Sequence, residues 1–404
     1  MTISKGISKV LAVKKESAFG TQAGATGAKQ IRRVTSNFNL SKEFYESAEI
    51  NTYRQVLDAR HGARKVDGTI NGELSPGTYA DFMQSVVSKD FAAVTAITGV
   101  SATIAVVSGN TYTVTRGTGS WITDGVKVGD VVALTGAGLN AANAANNLLV
   151  LSMTALELTA ECLSSTALVA EGPIASVTAT VRGKKTLAPL SAHTDDSYTI
   201  EEWFSDIEQS EVYTGNKVGS MNVSIPATGM VTIDFTFMGK DLASKGTTQY
   251  FTSPAAIGTS GITASVNGAL VVNGAVVGLV TSADFSIDRG LAGAVVVGSN
   301  SQADIFTDMI RVSGNTSVYF TDAAFRNYFD EETECSLVFA VATSEAKNAD
   351  VLSFTIPAVK FSGFTKADSA SAIIATMPFT ALLNQSVAGG LPETTIQIQD
   401  TSLS

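Results

Sequence analysis

The sequence predicts a mainly β protein built from two related β-rich modules, each with an α-helix that packs on its sheet, and a small all-β domain inserted into the first module. Three observations support this fold class. One stretch of sequence recurs later in the chain, strand-like patterns dominate outside two short helical patterns, and the composition changes abruptly inside the first copy. Alternation of apolar and polar residues is typical of half-buried strands, and repetition at a long period indicates repeated structural units.

The composition indicates a protein that assembles. The chain has 404 residues, of which 45% are apolar and 16% charged, with a formal net charge of -10. Soluble chains usually contain about a quarter charged residues, so much of this surface is expected to face other protein. No apolar run approaches the roughly 20 residues of a membrane-spanning helix, and lysines interrupt the start of the chain where a signal peptide needs an apolar core. We therefore expect a protein made in the cytoplasm that does not span a membrane.

Charge is divided unevenly along the chain. Residues 1–65 hold 12 Lys and Arg against 5 Asp and Glu, a net charge of +7, which leaves 27 - 12 = 15 and 37 - 5 = 32, a net charge of -17, for the rest. A basic head can serve as a nucleic-acid arm. Its charges are mostly spaced singly or in pairs, however, and Phe19 is the only aromatic residue between Lys14 and Arg33. The favoured interpretation is that these residues face an acidic neighbouring subunit.

An internal repeat organises the chain. Val34-Thr35-Ser36 recurs as Val280-Thr281-Ser282, at an offset of 280 - 34 = 246 residues. Further positions match at the same offset: Val66-Asp67-Gly68 with Val312-Ser313-Gly314, Leu74 with Phe320, and Tyr79, Phe82 and Met83 with Phe325, Tyr328 and Phe329. This agreement predicts two copies of one unit.

A second match locates an insertion in the first copy. Ile225-Pro226-Ala227 has a counterpart in Ile356-Pro357-Ala358, at an offset of 356 - 225 = 131, which assigns 246 - 131 = 115 extra residues to the first copy. Thr95 to Arg182 is rich in Ala, Thr, Val, Gly and Asn. Strand-like segments separated by turn signals occur there: Thr103–Val107, Thr111–Thr115, Val128–Leu134, Leu148–Ser152 and Ala175–Val181. We predict a small all-β domain, a sandwich or a barrel.

Each copy is predicted to contain two strands, a helix and further strands. Arg64–Leu74 and Met309–Phe320 have the composition of half-buried strands, with a glycine at a bend. Met221–Met238 alternates polar and apolar residues and is predicted to form a strand pair that turns at Ala227-Thr228-Gly229.

The helix of each copy is predicted from its cap and its apolar spacing. Ser75 and Pro76 are typical of an N-cap and first turn, and they precede the apolar residues of the repeat at helical spacing. Thr321 or Asp322 is expected to cap the shorter helix of the second copy. Each helix is expected to bury one apolar stripe against its sheet.

The sequence predicts no catalytic residue, no cofactor and no metal site. His61 and His193 lie in no motif and are interpreted as surface or interface residues, and Cys162 and Cys335 lack the spacing of a disulfide framework or a zinc site. Acidic residues cluster at Asp195-Asp196, at Glu201-Glu202 with Asp206, and at Asp330-Glu331-Glu332. A solvated face or a salt bridge between subunits is favoured over general acid–base chemistry, which needs a cleft and a raised pKa.

Several segments resemble a known family. Lys15-Glu16-Ser17-Ala18-Phe19-Gly20-Thr21 resembles the Glu-Ser-x-Phe-Gly-Thr start of siphophage tail tube proteins, also called major tail proteins. The segments 197–206 and 210–218 resemble the central strands of that family, and 225–229 and 237–241 resemble the family segments that come next along the chain. The resemblance covers mainly the first module, and the repeat extends it to the second.

The resemblance implies a non-enzymatic structural subunit with tail-tube-like sandwich modules. In that family a β-sandwich with a flanking helix closes into rings, and the rings stack between the capsid and the tail tip. One module per chain generally gives a hexameric ring, so two modules per chain imply a homotrimer with pseudo-sixfold symmetry. The implied partners are further copies of the chain, the tape measure protein, the tail terminator and distal tail proteins, all in the virion.

A tube of this kind has further expected properties on physical grounds. A ring can join open sheet edges into one barrel, and an inner wall with excess carboxylate would repel DNA phosphates, so that DNA passes without specific binding. The strands 64–74 and 309–320 are our choice for the lumen. The inserted domain is expected to project outward, because it interrupts only one copy.

The predicted organisation has six parts: an N-terminal arm (1–30), a first tube module (31–92 and 186–250), the inserted domain (93–185), a linker (251–276), a second tube module (277–390) and a C-terminal tail (391–404). The alternative is an adhesin or carbohydrate-binding surface protein of tandem β domains. That alternative predicts aromatic-rich binding faces, whereas the only tryptophans, Trp121 and Trp203, are in different predicted domains.

Overall fold

The structure, a computed structural model, describes residues 3–321, 324–367, 372–386 and 388–404. About half of the chain is in strands and very little is helical, which confirms the predicted mainly β class. The elements that precede the insertion are β1 (Lys9–Lys15), β2 (Lys29–Gln30), β3 (Thr35–Glu46), β4 (Ala59–Glu73) and α1 (Ala80–Val87). The insertion contains β5 (Ile97–Ser108), β6 (Thr111–Arg116), β7 (Val131–Thr135), β8 (Leu148–Met153), β9 (Glu157–Cys162) and β10 (Glu171–Val181).

The remaining elements come after the insertion in two groups. The first group is β11 (Lys184–Leu187), β12 (Tyr198–Phe204), β13 (Gln209–Pro226), β14 (Thr232–Gly239) and β15 (Asp241–Gly246). The second group is β16 (Gly268–Val272), β17 (Ala275–Val276), β18 (Val280–Asp288), β19 (Leu291–Ala294), β20 (Asp304–Thr307), β21 (Arg311–Tyr319), α2 (Ala324–Asp330), β22 (Cys335–Ala342), β23 (Val351–Phe361), β24 (Thr365–Ala367), β25 (Ile374–Ala381) and β26 (Gln397–Asp400).

Two sheets enclose the core of the first sandwich, and one long strand belongs to both. In one sheet β3 pairs with β4, β4 with β14, and β14 with the C-terminal half of β13. In the other sheet β1 pairs with β12, and the N-terminal half of β13 lies between β12 and β15. Alternate side chains of a strand point to opposite faces. Phe38, Phe235 and Phe237 are therefore buried between the sheets, together with Phe82 of α1.

The second sandwich has the same pairing order. In one sheet β18 pairs with β21, β21 with β25, and β25 with the end of β23 and with β24. In the other sheet β16 pairs with β22, and β23 lies between β22 and β26. The core between them contains Phe285, whose ring centroid is 5.4 Å from that of Phe339 and 5.0 Å from that of Phe354.

Strand registers define which residues of the two sandwiches are equivalent. Ile70 of β4 faces Phe235 of β14, and Thr316 of β21 faces Met377 of β25. All four side chains are buried. β4 therefore corresponds to β21 at 316 - 70 = 246, the offset of the sequence repeat, and β14 corresponds to β25 at 377 - 235 = 142.

The first strand of the repeat is displaced by one residue. Phe38 faces Gly68, whereas Phe285 faces Gly314, so β3 corresponds to β18 at 285 - 38 = 247. A register shift between Val280 and Ser282 accommodates the extra residue in the second sandwich. A bulge of this kind moves every subsequent side chain by one position along the strand, which sequence identity alone does not show.

The second sequence match is wrong. Val218 faces Phe237 and Phe361 faces Phe379, so β13 corresponds to β23 at 361 - 218 = 143. The first copy therefore has 246 - 143 = 103 extra residues, not 115. The segment 225–227 ends a strand at a hairpin, whereas 356–358 lies inside a strand that is paired with β22, so the shared tripeptide reflects only a shared strand composition.

The segments predicted as an arm, a linker and a tail each contribute a strand. β1 lies within 1–30 and pairs with β12, β16 lies within 251–276 and pairs with β22, and β26 lies within 391–404 and pairs with β11 and β23. β1 contains a short apolar run flanked by lysines, and Leu11 and Val13 of this run are in the core. Each sandwich therefore contains an additional strand from the segment that precedes it.

Helix α1 packs against the core of the first sandwich and contacts residues of both of its sheets. It begins at Ala80, later than the predicted first turn at Pro76, because residues 75–79 form a turn in which the Ser75 hydroxyl donates to Thr78 Oγ1 (2.7 Å). Phe82 of this helix is 1% exposed, so α1 buries its apolar stripe as predicted.

Helix α2 is the counterpart of α1 and is less deeply packed. Tyr328 and Phe329 are half-buried against the core of the second sandwich. Asp322, one of the two predicted caps, lies outside the described residues. The two equivalent helices therefore differ in how much apolar surface they bury.

The insertion forms a closed barrel of six strands in the order β5, β6, β9, β8, β7 and β10. Its two ends meet, because the backbone N–H groups of Ala92 and Lys185 each donate to the carbonyl oxygen of the other at 2.9 Å. The remainder of the first sandwich is therefore continuous across the insertion point.

The barrel packs against the second sandwich. Strand β22 is buried on both faces: Leu337, Phe339 and Val341 point into the core of the sandwich, whereas Val338, Ala340 and Ala342 pack with the barrel interior. Polar contacts add to this interface, for example the Ser353 hydroxyl, which donates to the Gly129 carbonyl (2.7 Å). The barrel is therefore an integral part of the packing, and not a free appendage.

Candidate assembly site: a continuous sheet with two free edges

The two sandwiches are joined by strand pairing. The C-terminal half of β13 runs antiparallel to β18, with Ser220 opposite Asp288 and Pro226 opposite Ser282. Met221 and Phe285, on the inner face of this pair, are fully buried. The strand order is therefore β3, β4, β14, β13, β18, β21, β25 and then β23 with β24, and one sheet spans both sandwiches. We call this the spanning sheet.

The spanning sheet ends in two edges. At one end β3 pairs only with β4 among the described strands, and Leu40 on its inner face is half-buried. The Lys9 ammonium group donates to the Ser36 carbonyl (2.8 Å) and the Tyr213 hydroxyl donates to the Phe38 carbonyl (2.9 Å) at the start of β3. At the other end β24 is exposed along its length. A sheet edge of this kind is a template for pairing with another chain.

The outer face of the spanning sheet is mostly polar, with Met238, Tyr319, Ile374 and Pro378 as apolar exceptions. Small hydrogen-bonding residues dominate it on seven strands: Thr35, Asn37, Asn39 and Ser41 (β3), Lys65, Asp67, Thr69, Asn71 and Glu73 (β4), Thr232, Asp234 and Thr236 (β14), Ser220, Asn222 and Ser224 (β13), Ser282, Asp284, Ser286 and Asp288 (β18), Arg311, Ser313, Asn315 and Ser317 (β21), and Thr376 and Thr380 (β25). Five of these are acidic and two are basic, a net charge of -3. We call this surface the polar face.

Hydrogen bonds between neighbouring strands order the polar face. The Asn71 amide group donates to Asp234 Oδ1 (2.6 Å), and at the equivalent positions of the second sandwich the hydroxyl groups of Ser317 and Thr376 are hydrogen-bonded to each other at 3.0 Å. Cross-strand pairs of polar side chains hold a sheet surface in one conformation. The polar face is therefore a built surface with the same kind of contact in both sandwiches.

A cluster of ion pairs accompanies the junction. Lys217, at the middle of β13, is 1% exposed, and its ammonium group donates to Asp304 Oδ1 (3.1 Å) and to the Ile305 carbonyl (2.7 Å) of β20. The same group contacts Asp195, which precedes β12. A buried ammonium group is tolerated only when it is paired and hydrogen-bonded. Lys217 therefore ties the hairpin of β19 and β20 to the first sandwich.

Arg289 connects this cluster to helix α1. It lies just after β18, is 1% exposed, and donates from Nη1 to the Ser85 carbonyl near the end of α1 (2.7 Å). Its second terminal nitrogen lies 3.5 Å from Asp195 Oδ1. Burial lowers the pKa of Arg289, and the charge of Asp195 opposes that shift. We call Lys217, Arg289, Asp195 and Asp304 the junction cluster.

The distal parts of the two long hairpins have different surroundings. In the second sandwich the hairpin of β19 and β20 packs on the first sandwich, and Ile305 is fully buried. In the first sandwich the corresponding part of the β3–β4 hairpin extends into solvent, with Phe44 58%, Tyr45 56% and Tyr53 74% exposed. A group of exposed aromatic side chains on one hairpin is typical of an interaction surface. The β3–β4 hairpin contacts the loop between β19 and β20, where the Arg64 backbone N–H donates to the Asn300 carbonyl (2.9 Å). Its exposed aromatic residues nevertheless give this free hairpin the composition of an interface.

One buried carboxylate explains the N-terminal motif of residues 15–21. Glu16 is 7% exposed and accepts hydrogen bonds from the Ser197 hydroxyl (2.7 Å), the Thr199 hydroxyl (2.9 Å) and the backbone N–H groups of Gly20 and Gly215 (both 2.9 Å). Gly20 and Gly215 have positive φ values of 69° and 68°, which glycine adopts without strain. Glu16 therefore fixes the N-terminal segment to β12 and β13.

Phe19 of the same motif lies between two lysines. The ammonium group of Lys217 is 4.9 Å from the ring centroid, and that of Lys240 is 5.5 Å from it. Cations are attracted to the face of an aromatic ring within about 6 Å. The motif therefore links the N-terminal segment to the junction cluster through Lys217.

The acidic clusters singled out in the sequence have structural contacts. Glu201 is fully buried and accepts from the Ser210 hydroxyl (2.6 Å) and from the backbone N–H groups of Tyr250 (2.6 Å) and Phe251 (2.9 Å). Glu202 pairs with Lys9 (2.6 Å); burial raises the pKa of Glu202 and the Lys9 ammonium group opposes this shift. Both carboxylates therefore hold strands together.

The other singled-out residues are separate from one another. Asp195 belongs to the junction cluster, whereas Asp330, Glu331 and Glu332 are exposed near α2. His61 is exposed and its ring centroid is 5.6 Å from that of Phe44, and His193 is exposed in a loop. Sequence reasoning missed Lys217 and Arg289, because isolated basic residues give no signal until strand pairing brings them to the junction.

The tryptophans do not form a binding platform. Trp121 is fully buried in the barrel, where its indole N–H donates to the Leu156 carbonyl (3.2 Å), and Trp203 is half-buried on β12. Among the helices that the structure describes, none has the length and apolar composition to cross a membrane.

These features define a class of mainly β protein whose sandwiches join edge to edge into one sheet with a polar face. A family model described as phage tail tube protein matches residues 6–381, and the chain belongs to this family. No curated protein matches the chain. Membership of the family implies a structural subunit that assembles into a tube in the virion.

We predict that neither cysteine of the folded protein reacts with a thiol reagent at pH 8. Cys162 and Cys335 are each 3% exposed, and burial raises the pKa of Cys335 to about 12, so its thiol is protonated and shielded at that pH. Only the thiolate is nucleophilic. Titration with a chromogenic disulfide should release no colour from the native protein and two equivalents after denaturation; rapid reaction of the native protein would contradict the prediction.

Proposed function

We propose that this chain forms the tail tube of a siphophage as trimeric, pseudo-sixfold rings, which stack into a hollow tube and conduct DNA from the capsid to the host. The observation that carries the proposal is the junction of β13 and β18, where two sandwiches with the same pairing order join edge to edge. Repetition of one junction about an axis closes a ring when the rotation is a simple fraction of a turn.

The number of chains is obtained by counting sandwiches. Each chain supplies two, and tube rings in this family generally contain six modules, so three chains complete a ring. In such a ring the edge of β24 in one chain meets the edge of β3 in the next, and all edges of the spanning sheet are paired. Closure of this kind removes the exposed edges that otherwise promote aggregation.

The polar face is the proposed wall of the lumen. It includes the strands chosen from the sequence for that role, 64–74 and 309–320, together with parts of five further strands. Its excess of carboxylates repels DNA phosphates, and its short side chains leave no basic stripe, among the described residues, along which a phosphate backbone could bind. DNA would therefore pass without specific contacts.

The barrel is proposed to lie on the outside of the tube. It packs on the outer surface of β22, in the sheet of the second sandwich that lies across the core from the polar face. If the polar face lines the lumen, this surface points away from it. The remaining proposed partners are the tape measure protein, the tail terminator and distal tail proteins, with synthesis of the subunit in the host cytoplasm.

The proposal is tested by the mass and appearance of the assembled protein. Purified protein examined by native mass spectrometry and negative-stain microscopy should give rings or tubes whose repeating unit contains three chains and shows six similar densities. Rings of six chains would overturn the trimer, and monomers that bind glycans without forming rings or tubes at any concentration would favour the adhesin alternative.

A further inference from the structure

The junction inside the chain has an unoccupied counterpart on the surface of the chain. The offsets that relate the two sandwiches are 143 from β13 to β23 and β24, and 247 from β3 to β18. Tyr198 of β12 faces Asn216, and Cys335 of β22 faces Val359, which is the counterpart of Asn216 (216 + 143). β12 therefore corresponds to β22 at an offset of 335 - 198 = 137. These offsets translate each residue at the junction of β13 and β18 into one residue at the free edge of β24 or of β3.

All four members of the junction cluster translate into residues of the same charge. Lys217 corresponds to Lys360 (217 + 143), on the β24 side of the molecule. Asp195 lies three residues before Tyr198, the first paired residue of β12, and extending the offset beyond the strand assigns it to Glu332 (195 + 137), three residues before Cys335 on the same side. Arg289 corresponds to Lys42 (289 - 247) on β3. Leu291 faces Thr307, and the equivalent residues Phe44 (291 - 247) and His61 (307 - 246) also face each other, so the offset of 246 holds at the hairpin. Asp304 therefore corresponds to Asp58 (304 - 246). The equivalent pairs are therefore Lys217 and Lys360, Asp195 and Glu332, Arg289 and Lys42, and Asp304 and Asp58.

These four counterparts are separated into two exposed groups. Lys360 and Glu332 line an open depression of about 610 Å³ with Phe329, Asp330 and Phe361. Glu334 lies 4.0 Å from the ammonium group of Lys360, whose side chain is 43% exposed. At the opposite edge Lys42 is exposed, and Asp58, directly before β4 in the free hairpin, is 57% exposed and pairs with Arg60 at 3.0 Å on the surface. The acidic depression and the basic Lys42 are complementary in charge.

We infer that the contact between neighbouring chains repeats the junction inside the chain, with Lys360 of one chain paired to Asp58 of the next and Lys42 of the next chain seated beside Glu332. The inference rests on the proposed function, since it requires rings of this chain. Within one chain, the hairpin of β19 and β20 packs on the first sandwich beside Lys217. The inference places the exposed hairpin around Phe44 of the next chain at the equivalent position of the second sandwich, in the depression beside α2.

The same translation fixes the register of the strands at this contact. Asn222 faces Ser286 within the chain, which translates to Thr365 of one chain facing Asn39 of the next (222 + 143 and 286 - 247). Phe364 then faces Leu40, as Met221 faces Ile287. Both of these apolar side chains are half-buried in the single chain, whereas both residues of the internal pair are fully buried. The predicted pairing therefore completes the burial on the inner face.

Charge reversal tests the ion pair. We expect Lys360→Glu and Asp58→Lys each to reduce the amount of sedimentable tube about tenfold, because like charges are then opposed at every contact between chains. In the double variant K360E/D58K, Glu at position 360 of one chain faces Lys at position 58 of the next, so that opposite charges meet again at every contact. This variant should assemble at close to the wild-type level. Glu157→Lys, a reversal of an exposed charge on the barrel, is the matched control and should assemble normally.

A disulfide tests the register. The variant N39C/T365C should form covalent dimers and trimers of the chain under mild oxidation of assembled material, since residues that face each other across antiparallel strands have Cβ atoms about 4.5–5.5 Å apart. The control N39C/K366C places the second cysteine on the opposite face of β24 and should remain uncross-linked. The two native cysteines are buried and contribute no background.

The outcomes separate this inference from the proposed function. Rescue by the double reversal together with cross-links in N39C/T365C alone supports the inference. Wild-type rings without rescue and without those cross-links would overturn the inference while the proposed function stands. Wild-type protein that forms neither rings nor tubes under any condition would overturn the proposed function, and the inference with it.

Discussion

Replacement of Phe82 by alanine is expected to destabilise the first sandwich by about 4 kcal/mol, the middle of the range for removal of a buried aromatic side chain. Phe82 is 1% exposed, and its ring centroid lies 5.5 Å from that of Tyr198, 5.3 Å from that of Phe235 and 5.1 Å from that of Phe237. The cavity would therefore form where α1 meets both sheets. Denaturant unfolding followed by tyrosine fluorescence measures the change in the free energy of unfolding.

The matched control is the equivalent position of the second sandwich. Tyr328 of α2 is half-buried, and its ring centroid is 6.4 Å from that of Phe325 and 6.4 Å from that of Phe361. Tyr328→Ala is expected to cost about 1 kcal/mol, because a partly exposed side chain loses less transfer free energy and leaves no closed cavity. Equal losses at the two positions would contradict the difference in packing described for α1 and α2.

Replacement of Glu16 by alanine is expected to lower the free energy of unfolding by about 3 kcal/mol, because it leaves buried donors without an acceptor. The donors are the hydroxyl groups of Ser197 and Thr199 and the N–H groups of Gly20 and Gly215. Buried donors that lose their partner cost about 1–3 kcal/mol each, and losses that share one site are not additive. Hydrogen exchange should show faster exchange at the Gly20 and Gly215 amides.

An exposed glutamate provides the control for Glu16. Glu157 is on the surface of the barrel, where its carboxylate accepts a hydrogen bond from the Thr115 hydroxyl at 3.1 Å. Glu157→Ala should change the free energy of unfolding by about 0.5 kcal/mol or less, as expected for a surface substitution. If Glu16→Ala were equally mild, the N-terminal segment would not be held by its buried carboxylate.

Local patterns predict most strands well. The segments 103–107, 111–115, 148–152 and 175–181 all lie within strands of the barrel, because alternation is a property of each strand by itself. Strand β9 escapes prediction, since Glu157 and Glu161 lower the apolar content of a strand whose alternate residues are nevertheless buried. Strand β1 escapes prediction for the same reason, with lysines in place of glutamates.

Relationships between distant segments are predicted less well. The offset of 246 describes β4 and β21 but fails by one residue for β3 and β18, where the register shift at Val280–Ser282 intervenes. The resemblance carried by residues 15–21 identifies the family, yet the roles of Glu16 and Phe19 depend on contacts with Gly215 and Lys217, far away in the sequence. The candidate site as a whole depends on pairing of β13 with β18, which no local pattern encodes.

The meeting of Ala92 and Lys185 at the base of the barrel has an evolutionary consequence. Because the two ends of the insertion exchange backbone hydrogen bonds, a tube subunit could gain such a domain by a single insertion between these positions without altering its own strands. Loss is harder than gain, since excision would now expose Val338, Ala340 and Ala342 on β22 to water. A shortened chain without the barrel would therefore need polar substitutions at these three positions as well.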